Sequence, residues 1–250
     1  RGHLKTWPGM AIDGVLCCAG GLGKITLGHN LSFVLQGLLH REFTGAPLSP
    51  SFRKSVAGII ADVERRVNPR GLIEASAECG GFLDWSKIAD QKGISVGMNA
   101  LYYMVLDRWS RATGSKKLAA RAAALRARLR AMAAPFIASA GRNRFARLVP
   151  DAFELRGGEL QPVPHPEVIS FGYKAQYARS EATQYFLLWS GALDRADADR
   201  LWEVLRDLRI NSEPRRDDNR LFALARAGLF GLWPRLTYAF ERGEADVVVR

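Results

Sequence analysis

Apolar residues recur at helical spacing along most of the chain. Leu31, Leu35, Leu38 and Leu39 share one side of a predicted helix over Leu31 to Phe43. A second, over Phe52 to Val67, keeps the helical period through Phe52, Val56, Ile59, Ile60, Val63 and Val67, with Arg53, Lys54, Asp62, Glu64 and Arg65 on its other face. Ser49-Pro50-Ser51 supplies its start signal, because Ser caps orphan N–H groups and Pro has none to lose, and Asn68-Pro69-Arg70-Gly71 stops it. From Val96 to Ala112 the chain is apolar around most of a helical circumference, which predicts a helix buried on all sides. Thr113-Gly114-Ser115 then turns it into an Ala-rich, Arg-rich helix expected to end near Ala134, before Pro135, with Leu118, Ala122, Leu125, Leu129 and Met132 as its buried stripe.

The pattern changes over Phe145 to Ser170, where glycines, prolines and alternating residues predict a small β-hairpin, Phe145 to Val149 against Phe153 to Arg156. Helical spacing resumes near Ser180, giving SEATQYFLLWSGAL and then ADADRLWEVLRDLRI, whose stripe is Ala198, Leu201, Leu205 and Leu208. Two further helices are expected over Asn219 to Phe230 and Pro234 to Arg242. Each hairpin pairs an apolar or aromatic helix with a charged, amphipathic one, and no fixed repeat length runs through them. Two concentric layers account for that alternation: an all-α, (α/α) toroid of helical hairpins with a β-hairpin insertion near 145–170, its inner-helix loops converging on one funnel-shaped mouth.

Composition narrows the picture. The chain has 250 residues, 48% of them apolar, enough for one large core, and 24% charged residues without long polar runs argue against disorder. No apolar run approaches the ~20 residues that span a bilayer, so no membrane partner is expected. The start at Arg1 and the end at Arg250 read as those of an excised piece of a longer protein, with residues 1–250 forming part of a single domain. The net charge of +11 raises the question of nucleic acid, but the basic residues are scattered. Their densest group, Arg121, Arg126, Arg128 and Arg130, reads as the solvated outer face of its helix, so no nucleic-acid partner is expected. Cys17, Cys18 and Cys79 make neither a disulfide framework nor a metal motif, and His3, His29, His40 and His165 lack zinc-site spacing. No metal and no cofactor is therefore expected, and the free thiols, with no signal-like segment, favour a cytoplasmic compartment.

Candidate chemistry centres on Gly80 to Leu106, GGFLDWSKIADQKGISVGMNALYYMVL. Asp84 and Trp85 lie side by side in a long loop, from Leu72 to Ser95, that also holds Glu74, Glu78 and Asp90. A carboxylate beside a large ring suits a sugar site, where the ring stacks on C–H surface and the carboxylate holds hydroxyls or moves a proton; such pairs also occur in ordinary cores and loops. Asp13, in an apolar stretch after Trp7, must be hydrogen-bonded or line the funnel, because a bare buried carboxylate costs several kcal/mol. Asn99 and Gln184 are amides on otherwise apolar helices, each needing a partner in the protein or a ligand. Trp7, Trp85 and Tyr103 are candidate stacking surfaces or core residues.

GGFLDWS followed by GMNALYYMVLDRWSRATG resembles the catalytic domain of the six-hairpin glycosidases, especially bacterial alpha-L-rhamnosidase-like proteins. SEATQYFLLWSGAL and NRLFALARAGLFGLW resemble later inner helices of the same domain, and WPGMAIDGVL is similar to an early inner helix of glycogen-debranching glucosidases. The resemblance implies hydrolysis of a terminal glycosidic bond, a rhamnoside or glucoside, by inverting acid/base chemistry between two carboxyl groups ~6.5–9.5 Å apart. It implies Asp84 as the first choice of acid, since related enzymes keep the proton donor in this loop, with Asp13 and Glu78 as alternatives. Trp7, Trp85, Asn99, Tyr103 and Gln184 become substrate-binding candidates for a carbohydrate. The sequence departs from the rhamnosidase acid motif at Gly2, His3 and Met10, where the family has acidic residues, while Arg1, Trp7 and Gly9 match it. The family's base falls just after the last helices, beyond Arg250. Two rival readings follow: a carbohydrate-binding toroid without its catalytic acid, and a basic helical adaptor.

Overall fold

The computed structural model describes residues 27–74, 93–139, 144–164, 169–170, 173–174, 179–211 and 229–244. Helix α1 (Leu27–Thr44) buries Leu27, Leu31, Val34, Leu35 and Leu38 along one side. Helix α2 (Pro50–Glu64) starts as its sequence dictates, with the Ser49 side chain accepting from Phe52 N–H and Pro50 in the first turn. Strand β1 (Ile94–Ser95) runs straight into α3 (Val96–Thr113), and Ser95 caps it by accepting from Met98 N–H. Every residue of α3 from Val96 to Leu106 is buried, as its all-round apolar pattern requires. Gly114 closes α3 in the left-handed conformation, φ 67°, and Ser115 caps α4 (Lys116–Ile137).

Helix α4 continues past the predicted stop. Pro135 removes one backbone donor, yet the last turn stays helical because Ile137 is buried, Phe136 packs edge-on against Phe153, and Ala138 N–H still reaches Ala134 O. Helix α5 (Glu181–Trp189), capped by Ser180, is buried from Ala182 onward. It is followed by α6 (Arg195–Asn211), with Leu201, Trp202, Val204 and Leu205 buried. The expected break before Pro234 is absent: one helix, α7 (Leu229–Glu241), runs through it.

The β-hairpin lies where it was expected but pairs differently. Strand β2 (Ala152–Arg156) pairs with β3 (Glu159–Pro162), Arg156 opposite Glu159, and on its other edge with β1, Ile94 opposite Phe153. The expected strand Phe145 to Val149 is instead taken up, over Phe145 to Arg147, by one 3₁₀ turn (Arg144–Arg147). Gly157 and Gly158, both at positive φ (57° and 85°), form the two-residue turn whose twist matches paired strands, and they set the pairing of their own flanks. A second short pair joins β4 (Ile169–Ser170) to β5 (Tyr173–Lys174).

Helices α1, α3, α5 and α7 pack side by side in chain order, and α2, α4 and α6 each pack on the helix before them. The first row is the apolar set and the second the amphipathic set. Glu42, near the end of α1, bonds Arg108 in the last turns of α3, so α1 and α3 point the same way. The N-terminal ends of α3 and α5 meet at Asp151: its carbonyl accepts from Val96 N–H and its carboxylate from Ser180. The molecule is thus mainly helical, in two rows of helices, with a three-stranded antiparallel sheet beside the N-terminal end of α3.

Candidate functional site

That end is built from two polar cradles of the same design. Asn99 lies four residues after the Ser95 cap. Its Oδ1 accepts from Ile73 N–H at 2.8 Å, and its Nδ2 donates to Ile73 O at 3.0 Å and to Ser95 O at 2.7 Å. Gln184 lies four residues after the Ser180 cap. Its Oε1 accepts from Val149 N–H at 3.0 Å, and its Nε2 donates to Val149 O at 2.8 Å and to Ser180 O at 3.3 Å. Each carboxamide therefore mimics a neighbouring strand for one extended residue while anchoring it to the helix start. Both amides are fully buried, where an unmet donor or acceptor is costly, and their partners are the chain itself.

Asp151 ties the two cradles together. Its carboxylate accepts from Ser180 N–H at 2.8 and 2.9 Å and from Ser180 Oγ at 3.0 Å, while Ser180 Oγ also meets Thr183 Oγ1 at 3.1 Å. Burial pushes its carboxyl up to about 6, against the Ser180 and Thr183 hydrogen bonds and the nearby Arg179, which pull it down. Its carboxylate can hold a proton near neutrality, but its bonds are spent on the start of α5, so it positions that helix. Sequence reading did not single it out: it follows Pro150 and precedes a strand, and nothing local marks its partner 29 residues away.

Of the candidates from sequence, Asp13, Glu78, Asp84, Trp7 and Trp85 lie outside the described residues. The frame on either side of residues 75–92 is described. On one side, Ile73 is held by Asn99; on the other, Gly93 leads into β1 and the start of α3. Both ends of that segment are therefore fixed beside the N-terminal end of α3. Tyr103 does not join the cradles. It is buried, and its phenol, raised first by burial and then by Asp107, lies in the field of Arg126, Arg111 and Arg108 toward the other end of α3. Its neighbour Tyr102 donates to Glu64, which also pairs with Arg121.

The basic face of α4 is solvent-facing, as expected, and it also carries bridges. Arg121 pairs with Glu64 of α2, Arg126 Nε donates to Ala192 O at 3.3 Å, and Arg130 pairs with Asp194 at 2.6 Å. These link α4 to α2 and to the α5–α6 turn. Among the described residues, no three His, Cys, Asp or Glu side chains gather as a metal site requires, and no helix is long and apolar enough to cross a membrane. The chain matches no protein-family model and no curated protein.

Proposed function

We propose that the chain is part of an (α/α) toroid of the six-hairpin glycosidase type, cleaving a terminal rhamnoside or glucoside by inverting general acid/base chemistry. The observation that carries this reading is the parallel alignment of α1, α3 and α5, with the described residues on either side of the Asp84–Trp85 segment fixed beside the buried start of α3. In such a ring the loops before the inner helices line the mouth, and the described anchors of this segment, Ile73 and Gly93, lie at that end of α3. In this reading Asp84 protonates the leaving oxygen, Trp85 stacks on the sugar face, and a second carboxylate activates water across the ring, with ~6.5–9.5 Å between the two carboxyls. The cradles supply rigidity. With their amides spent on Ile73 and Val149, Asn99 and Gln184 hold the mouth in shape.

The test is hydrolysis of a panel of nitrophenyl glycosides by the full-length protein. Asp84→Asn is expected to abolish turnover with the melting temperature nearly unchanged; full activity in that variant removes Asp84 from the reaction. Gly2, His3 and Met10, at positions where the family carries acids, favour a second reading, a carbohydrate-binding toroid without turnover. Saturable glycan binding with no hydrolysis of any panel member supports that one instead.

A further inference from the structure

A pocket of about 670 Å³ opens on the outer side of the molecule, between α4, the loop around Arg70 and the β2–β3 hairpin. Its volume falls in the range of small-molecule sites, roughly 300–1,000 Å³. Met132, Phe136, Phe153 and Leu160 form apolar walls, and among its described lining residues the charged ones are Arg70 and Arg128. Phe136 and Phe153 present an edge-to-face pair, ring centres 6.0 Å apart.

Arg128 is the exception among the arginines of α4. Arg121, Arg126 and Arg130 each meet an acceptor on a neighbouring element, whereas Arg128, half-buried, meets no carboxylate among the described residues. Helix α4 carries no acidic residue that could serve it. Its guanidinium lies over the loop at Gly71, where a Cβ would come within 2.7 Å of Nη1, so a glycine there makes room for the charge. Arg70, on the same loop, donates to Gly158 O at the hairpin turn and keeps further N–H groups free of any described carboxylate. Two guanidiniums beside apolar aromatic walls attract an anion more strongly than the same groups in open water. Their fork geometry matches a carboxylate, and the walls match a flat apolar body.

We propose that this pocket binds a small aromatic carboxylate, its carboxyl held by Arg128 and Arg70 and its ring seated against Phe136 and Phe153. The site is separate from the mouth, and the proposal stands whether or not the mouth cleaves a glycoside. Because the pocket shares its loop with Ile73, which Asn99 grips, an occupant touches the frame of the mouth from outside.

The test uses 2-naphthoate as the probe, titrated into the chain and followed by calorimetry and by amide chemical shifts, with 2-naphthalenemethanol as the neutral isostere and inorganic phosphate as the bare anion. Saturable naphthoate binding is expected, with shifts at Gly71, Phe153 and Leu160 and an affinity at least roughly tenfold above that of the alcohol, as a charge-assisted bond implies. Arg128→Gln should weaken naphthoate about tenfold or more while leaving the alcohol unchanged. Equal binding of acid and alcohol, displacement by phosphate at comparable concentration, or naphthoate affinity untouched by both Arg128→Gln and Arg70→Gln overturns the proposal. The acid–alcohol comparison is made on the unaltered chain, so it decides even where a variant folds poorly.

Discussion

Replacing Asn99 by Leu keeps the size and apolar character of an inner-helix position and removes only its hydrogen bonding. The antiparallel bridge between Val67 and Ile73 uses the carbonyl of Leu72, which accepts from Asn68 N–H, so the N–H and C=O of Ile73 itself are left for Asn99. Ile73 is 2% exposed and Asn99 0%, so water has no easy route to either group. Two backbone groups stranded in that setting cost roughly 1–3 kcal/mol each, which gives about 4 kcal/mol for Asn99→Leu. In a chain of this size that lowers the melting temperature by roughly 8–15 °C. Asn99→Asp sharpens the test. Its first oxygen still accepts from Ile73 N–H, but the second faces Ile73 O at 3.0 Å and Ser95 O at 2.7 Å, where only a protonated carboxyl can donate. The folded-state carboxyl is thereby raised above its unfolded value, so the variant is most stable below the ordinary carboxylate range and loses stability as pH rises through the folded value. Urea unfolding at several pH values measures both effects, and Gln184→Leu should behave like Asn99→Leu. A loss under about 1 kcal/mol for Asn99→Leu, or no pH dependence in Asn99→Asp, refutes the idea that the carboxamide holds this segment.

Asp151 carries a pH prediction of its own. With its carboxyl raised from 3.8 to about 6, its contribution is fully present below pH 4 and is lost as pH rises through 6, about 3 kcal/mol over that window. Asp151→Asn should flatten the pH dependence of urea unfolding between pH 4 and 6, and an unchanged slope contradicts the assignment. Gly158→Ala should cost about 1 kcal/mol, because its φ of 85° is strained for any L side chain while nothing lies within 4 Å of the added Cβ. Amide exchange confined to β2 and β3 would report it; a global loss of several kcal/mol would show that the turn bears more than its own hairpin.

Much of the fold was legible in the periodicity. The buried α3, the stripe of α4 and the cap at Ser49 follow from local patterns, because burial and capping act over one or two turns. The hairpin pairs differently from the expected Phe145 to Val149 strand because the Gly157-Gly158 turn, not the alternation over Phe145 to Val149, settles the pairing geometrically. Asn99 and Gln184 stood out as amides on apolar helices, but their partners lie 26 and 35 residues away on extended backbone, which leaves no mark in composition. The arginines of α4 were visible as a face, whereas Glu64 of α2 and Ala192 and Asp194 of the α5–α6 turn, which receive them, are distant in the chain. A pocket walled by α4, a loop and a hairpin has no sequence signature at all.

The two cradles make a structural argument beyond their energies. Ser95 with Asn99 and Ser180 with Gln184 place a cap and an amide one helical turn apart at the starts of neighbouring inner helices. Each amide reaches back to its cap carbonyl and sideways to a single residue of the preceding segment, and Asp151 then bonds both helix starts at once. Apolar packing alone would bury these ends at lower polar cost, since two amides and a carboxylate must all be desolvated to build them. What the polar design adds is register: hydrogen bonds fix which residue of each incoming segment meets which helix start, where apolar contact would allow it to slide. Segments leaving such a platform begin from a defined point and direction. A binding or catalytic group on them needs that, since a displacement of about 1 Å is enough to spoil its geometry. The rigidity is concentrated where the chain enters and leaves residues 75–92, while the opposite ends of the inner helices are joined by exposed and half-buried ion pairs such as Arg108–Glu42 and Arg111–Glu42. That asymmetry, strong and directional at one end and weak at the other, is the physical reason to look for function at the cradle end.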